Sequence, residues 1–184
     1  SQSTDPMLAQ TRELYAGYLR NYGVLASGSQ MPPYILDEAY YEAPNTDLLY
    51  SDPGEHHNHF LYLHGLWHNE SERLVHARTT ENYEDYILVK FFGTSANAVM
   101  DTVTGTPFVV QVTLDDQPLA PNLAGFDIEF DAEGDTFITV DEGRMYNLLN
   151  REIFGSGVIK LSSNSTEFSL FAFTFGSYLG GERE

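Results

Sequence analysis

The chain has 184 residues, enough for one substantial domain with its own core, and carries 27 acidic against 9 basic residues for a net charge of −18. That balance excludes nucleic acid and anionic membrane surfaces as partners, because both demand a positive face. The lack of cysteine excludes disulfides, thiolate metal sites and thiol redox chemistry within these residues. The acidic excess reads first as a solvated shell and second as a patch for a cation or a basic partner. No apolar run is long enough to cross a bilayer and no signal segment is visible, so no membrane insertion by this chain is expected. A start at Ser1 rather than Met suggests a processed product or an excised fragment.

Residues 1–30 read as an N-terminal entry segment, with a short helical turn over 11–20 that Gly17 interrupts. Residues 31–58 hold Pro32, Pro33, Pro44, Pro53 and Gly54 without sustained periodicity, which predicts a loop-rich segment packing on the domain. Strand patterns follow over 60–67, 74–78, 83–92, 108–114, 126–130, 136–140, 158–161 and 168–175, and residues 145–149 read as one short helical turn. Short strands at regular spacing with polar turns between them predict an all-β sandwich over 59–179, followed by a tail over 180–184. In the last strand Phe171, Phe173 and Phe175 alternate with Phe168, Leu170 and Ala172, so neither face is polar. A strand apolar on both faces belongs inside a sheet rather than at its edge.

Several residues carry candidate chemistry. His56, His57 and His59, with His64 and His68 beyond them, offer imidazoles that could share a zinc ion; the competing reading is a polar loop beside Pro53 and Gly54. Trp67, the single tryptophan, could stack on the apolar face of a pyranose together with Tyr22, Tyr40, Tyr41 and Tyr62, or could fill the core. Lys90, Arg144 and Arg151 stand out where cations are scarce, and pairing with acidic neighbours is favoured over lining a polar cleft. Ligand contacts are therefore assigned to Trp67, Tyr62, Lys90, Arg144 and Tyr146. Alternation would place Asp127, Glu129 and Asp131 on one strand face, where carboxylates can bind calcium or act as a glycosidase acid and base; for Asp131 to Asp135 a hairpin turn is favoured over a ring of oxygen ligands. Nucleophile-elbow, phosphate-loop and dinucleotide fingerprints are absent.

Taken in order, the segments 15–20, Gly65-Leu-Trp67, 87–92, Ala98-Val-Met100, 107–118, Gly125-Phe-Asp-Ile-Glu129, 140–149 and Phe171-Ala-Phe-Thr-Phe-Gly176 resemble the carbohydrate-binding-module-like C-terminal domain that follows the thioredoxin-like domain in DipZ-type proteins. The resemblance implies a jelly-roll or galactose-binding-like sandwich attached to a redox domain, with an extracytoplasmic or membrane-tethered parent. This chain departs from those proteins in lacking any Trp-Cys-x-x-Cys segment, so thioredoxin chemistry is not carried over to it. The resemblance implies a non-catalytic accessory domain whose partners are carbohydrate and the thioredoxin-fold domain of its parent. No cofactor is expected, calcium and zinc being the ions considered. A docking or oligomerisation domain and a sandwich-fold glycoside hydrolase using Asp127 and Glu129 are the alternatives.

Overall fold

The computed structural model describes residues 10–20 and 33–176. Its elements, in chain order, are β1 (Leu14–Tyr15), α1 (Ala39–Glu42), β2 (Asp47–Tyr50), β3 (Phe60–Asn69), β4 (Leu74–His76), β5 (Tyr86–Asp101), β6 (Phe108–Leu114), β7 (Gln117–Pro118), β8 (Glu129–Phe130), β9 (Thr136–Val140), β10 (Arg144–Ser162) and β11 (Ser169–Phe175). The chain is therefore all-β, as its patterning predicts, with α1 a single helical turn. The strands run in the order β1-β11-β4-β3-β5-β10-β6-β9-β8, with β2 added to β3 and β7 to β6. A further pairing of β11 with β5 closes β11, β4, β3 and β5 into a small ring.

Two long strands organise the molecule. Residues Tyr86 to Lys90 of β5 pair with β3 on one edge and with the second half of β10 on the other. Residues Ala96 to Asp101 pair with β11 on one edge and with the first half of β10 on the other. Glycines at 93 in β5 and at 155 and 157 in β10 fall where the neighbours change, and there the β10 register shifts. Between Asn150 and Gly155 four residues of β10, Arg151 to Phe154, face the single residue Thr94 of β5, so they bulge from the sheet.

Bulges also explain where sequence periodicity fails. Residues 145–149 are strand rather than a helical turn: Asn147 pairs with Asn97 and Leu149 with Ala96, leaving Leu148 as an extra residue. Leu148 and Leu149 are both fully buried, and two consecutive inward residues imitate a helical spacing. In β11, Leu170 pairs with Met100 and Ala172 with Val99, so Phe171 is the extra residue. The strand nonetheless lies between β5 and β1 or β4, the interior position its two apolar faces require.

The N-terminal segment differs from its reading too. Leu14 and Tyr15 pair with Phe173 and Ala172, and Leu14 and Ala16 are fully buried, so 11–20 contributes strand rather than helix. Gly17 permits a close approach, since a Cβ there would lie 2.3 Å from the Ser71 carbonyl oxygen. Segment 31–58 is not loop alone, because α1 and β2 fall within it and β2 pairs with β3. Over 126–130 only Glu129 and Phe130 form strand. Between β6 and β7, Asp115 and Asp116 both take positive φ (51° and 62°), as the two centre residues of a type I′ hairpin must.

Candidate functional site

Where 33–37 runs beside the start of β3, Ile35 bridges to Leu61 and the Leu61 N–H donates to the Tyr34 carbonyl. The end of β2 and the following loop approach from the other direction. Together they enclose a cleft of about 390 Å³ lined by Ile35, Leu36, Asp37, Tyr50, Ser51, Pro53, Glu55, His57, Leu61, Tyr62 and Leu63. Its floor is apolar and buried, with Ile35 and Leu61 each 1% exposed, whereas Asp37, Glu55 and His57 stand exposed at the rim. Tyr50 also lines it; the ring is 2% exposed, and its hydroxyl is buried without a hydrogen-bond partner among the described residues. Burial, reinforced by the Asp37 carboxylate, pushes the Tyr50 hydroxyl well above the usual phenol range, so it stays neutral.

The 51–57 loop is pinned by Asp52. Its Oδ2 accepts from the Tyr86 hydroxyl (2.5 Å), while its Oδ1 accepts from the Gly54 N–H (2.9 Å) and meets His56 Nε2 at 2.7 Å. Burial alone would raise the Asp52 pKa, but the hydrogen bonds from Tyr86, Gly54 and His56 outweigh it and hold the carboxyl below its ordinary value. The His57 N–H donates to the Tyr62 hydroxyl (2.7 Å), tying the loop to β3.

The candidate residues fall into separate places. Tyr62 and His57 meet in the cleft. Lys90 lies behind the loop, its Nζ donating to the His56 carbonyl (3.3 Å) rather than to a carboxylate. His56 is turned to Asp52, and His59 Nδ1 meets Thr11 Oγ1 at 2.7 Å, so these two imidazoles point to different partners. Among the described residues, the ligand atoms gathered within 4.8 Å of one another are those of Asp131, Glu133 and Asp135. There the Asp131 carboxylate accepts the Glu133 and Asp135 N–H groups, closing the β8–β9 hairpin turn.

Trp67 is a correction. It is fully buried between His76 and Phe168, and its Nε1–H donates to the His64 carbonyl (2.9 Å), which leaves no ring face for a ligand. Tyr40 is likewise fully buried, and Tyr22 lies outside the described residues. Arg144 and Tyr146 sit at the far end of the long strands, Arg144 opposite Met100 whereas Lys90 lies opposite Val158. Arg144 stacks 3.8 Å over the Tyr146 ring and donates to Asp127 (2.9 Å), the acidic pairing expected of it. The second Asp127 oxygen accepts the Asn147 N–H (2.7 Å). Arg151 instead donates to the Gly93 and Ser156 carbonyls.

Two features escape the sequence. Asp37 and Tyr50 carry no motif, and only the chain's return along β3 brings them to the cleft. Asp85 and His76, 0% and 1% exposed, form a buried pair (2.8 Å) to which Arg78 adds two hydrogen bonds (2.7 and 2.6 Å).

An all-β domain without thiols, bearing an open cleft with an apolar floor and a polar rim, is the class that fold and site define. The family model described as thioredoxin-like C-terminal domain matches residues 11–176, and the chain belongs to that family. No curated protein matches it.

Proposed function

We propose that the chain is a non-catalytic accessory module of a thioredoxin-like protein and that it holds carbohydrate in the cleft beside β3. The observation that carries this reading is the composition of the cleft. A pyranose presents an apolar C–H face and a rim of hydroxyls, and the cleft opposes Ile35, Leu61 and Leu63 to the first and Asp37, Ser51, Glu55 and His57 to the second. Family membership supports the accessory role, because thiol chemistry is closed to a chain without cysteine. A two-layered, jelly-roll-like arrangement of the sheet is supported by β5, whose first half pairs with β3 and second half with β11 as a strand passing between layers does, and by β10, whose second half alone adds β6. Calorimetric titration with oligosaccharides tests the reading: a His57→Ala variant that keeps its fold is expected to lose affinity, and unchanged affinity would count against the cleft.

A second reading, docking onto the thioredoxin-fold domain of the parent, is favoured by the β10 bulge. Ile153 is 80% and Phe154 49% exposed there, with Phe154 stacked on Phe92. An Ile153→Asp change that weakens a measured complex with that domain supports it, and a complex indifferent to the change opposes it.

A further inference from the structure

Resting on the carbohydrate reading of the cleft, we infer that its preferred ligand is an amino sugar whose nitrogen is free and protonated rather than acetylated. Among the described residues, the lining includes two carboxylates, Asp37 and Glu55, and no lysine or arginine. Both carboxylates are exposed at the rim, and the whole chain, at −18, repels anions. Uronic acids, sulfated sugars and phosphates are therefore disfavoured. A neutral sugar would displace water from two charged groups and return hydroxyl-to-carboxylate hydrogen bonds that leave the negative charge unbalanced, whereas an ammonium adds an opposite charge to the same hydrogen bonds.

Tyr50 supplies the independent observation. Its side chain lines the same cleft, is 2% exposed, and carries a hydroxyl with no partner among the described residues. Buried hydroxyls are normally satisfied, and this one marks a place that lacks a polar partner close to an acidic rim. Asp37 also accepts the Ala39 N–H at the start of α1 (3.0 Å), which fixes the carboxylate at the edge of the cleft.

The test titrates the chain with three oligosaccharides of one linkage: oligomers of glucosamine, of N-acetylglucosamine and of glucose. The free-amine oligomer is expected to bind about tenfold more tightly than the other two, the yield of two partly exposed charge pairs. The double variant Asp37→Asn with Glu55→Gln, in which asparagine can still accept the Ala39 N–H, is expected to erase that preference, so that it binds the three oligomers with equal affinity. Equal binding of all three overturns the amine inference and leaves the carbohydrate reading standing. Binding of none of the three overturns the amino-sugar inference and counts against the carbohydrate reading as well. A preference that survives in the double variant reflects the general charge of the chain and overturns the assignment to this cleft.

Discussion

A Cβ placed on Gly65 would lie 2.0 Å from Cγ of Asp85, so the middle of β3 and the residue just before β5 are joined by a contact that only glycine permits. Gly65 also takes φ = +99°, outside the range that L side chains favour. The kink lets the Leu66 N–H reach Asp85 Oδ2 (3.2 Å) beside His76 and Arg78. Gly65→Ala is expected to cost about 2 to 4 kcal/mol through combined strain and overpacking, read by denaturant unfolding. A change below about 0.5 kcal/mol, the range of neutral surface substitutions, would show that the contact relaxes freely.

The Asp85 carboxyl gives the fold a signature in acid. Burial pushes its pKa up, but hydrogen bonds from Arg78, His76 and the Leu66 N–H more than offset this and hold it at about 2. A carboxyl depressed in the folded state contributes stability that is present above its unfolded value of about 3.9 and is lost as pH falls through the folded value. The expected contribution is about 2 kcal/mol, moderated by the partial exposure of Arg78. Unfolding of the wild type and of Asp85→Asn between pH 6 and pH 2 measures it. The difference between the two proteins should shrink from about pH 4 downward, and a constant difference would contradict the assignment.

Trp67→Ala should act on stability. Removal of a fully buried indole that packs on Phe168 and His76 is expected to cost about 3 to 5 kcal/mol. Arg144→Ala, at a side chain 40% exposed, should cost less than about 1 kcal/mol. Thermal melts of the two variants order them, and the reverse order would refute the placement of Trp67 in the core.

Asp52 governs the loop that walls the cleft. Asp52→Ala removes the acceptor shared by Tyr86, Gly54 and His56, and should raise amide exchange over residues 51–57 while leaving exchange in β5 and β10 unchanged. Because its pKa is depressed, acid should loosen the same loop as pH falls below the ordinary carboxylate range. Uniform exchange changes across the sheet would assign Asp52 a global role instead.

The all-β class and most strand positions were legible because Ile87, Val89 and Phe91 share one fully buried face, with Tyr86, Lys90 and Phe92 partly exposed on the other, and because turn residues such as Asp115-Asp116 punctuate the runs. Strand lengths were not legible. Bulges at Leu148 and Phe171 break the period of two, and the strand patterns stop at 92 and resume at 158, whereas glycines 93, 155 and 157 lie inside long strands. Of the candidate residues named from the sequence, Tyr62 and His57 line the cleft. The cleft depends on Asp37 and Tyr50, which arrive through non-local pairing of Ile35 with Leu61 and of Tyr50 with Gly65. Trp67 is a single aromatic whose role depends on whether its strand end is covered, and here it is.

The most direct measurement is residue-resolved NMR of the chain during titration with an oligosaccharide drawn from a glycan-array screen. The account predicts saturable shifts at Leu36, Glu55, His57 and Tyr62, absent in a folded His57→Ala variant. Shifts confined to the Ile153–Phe154 bulge or to the Arg144–Tyr146 end of β10, or no shifts with any glycan, would contradict it.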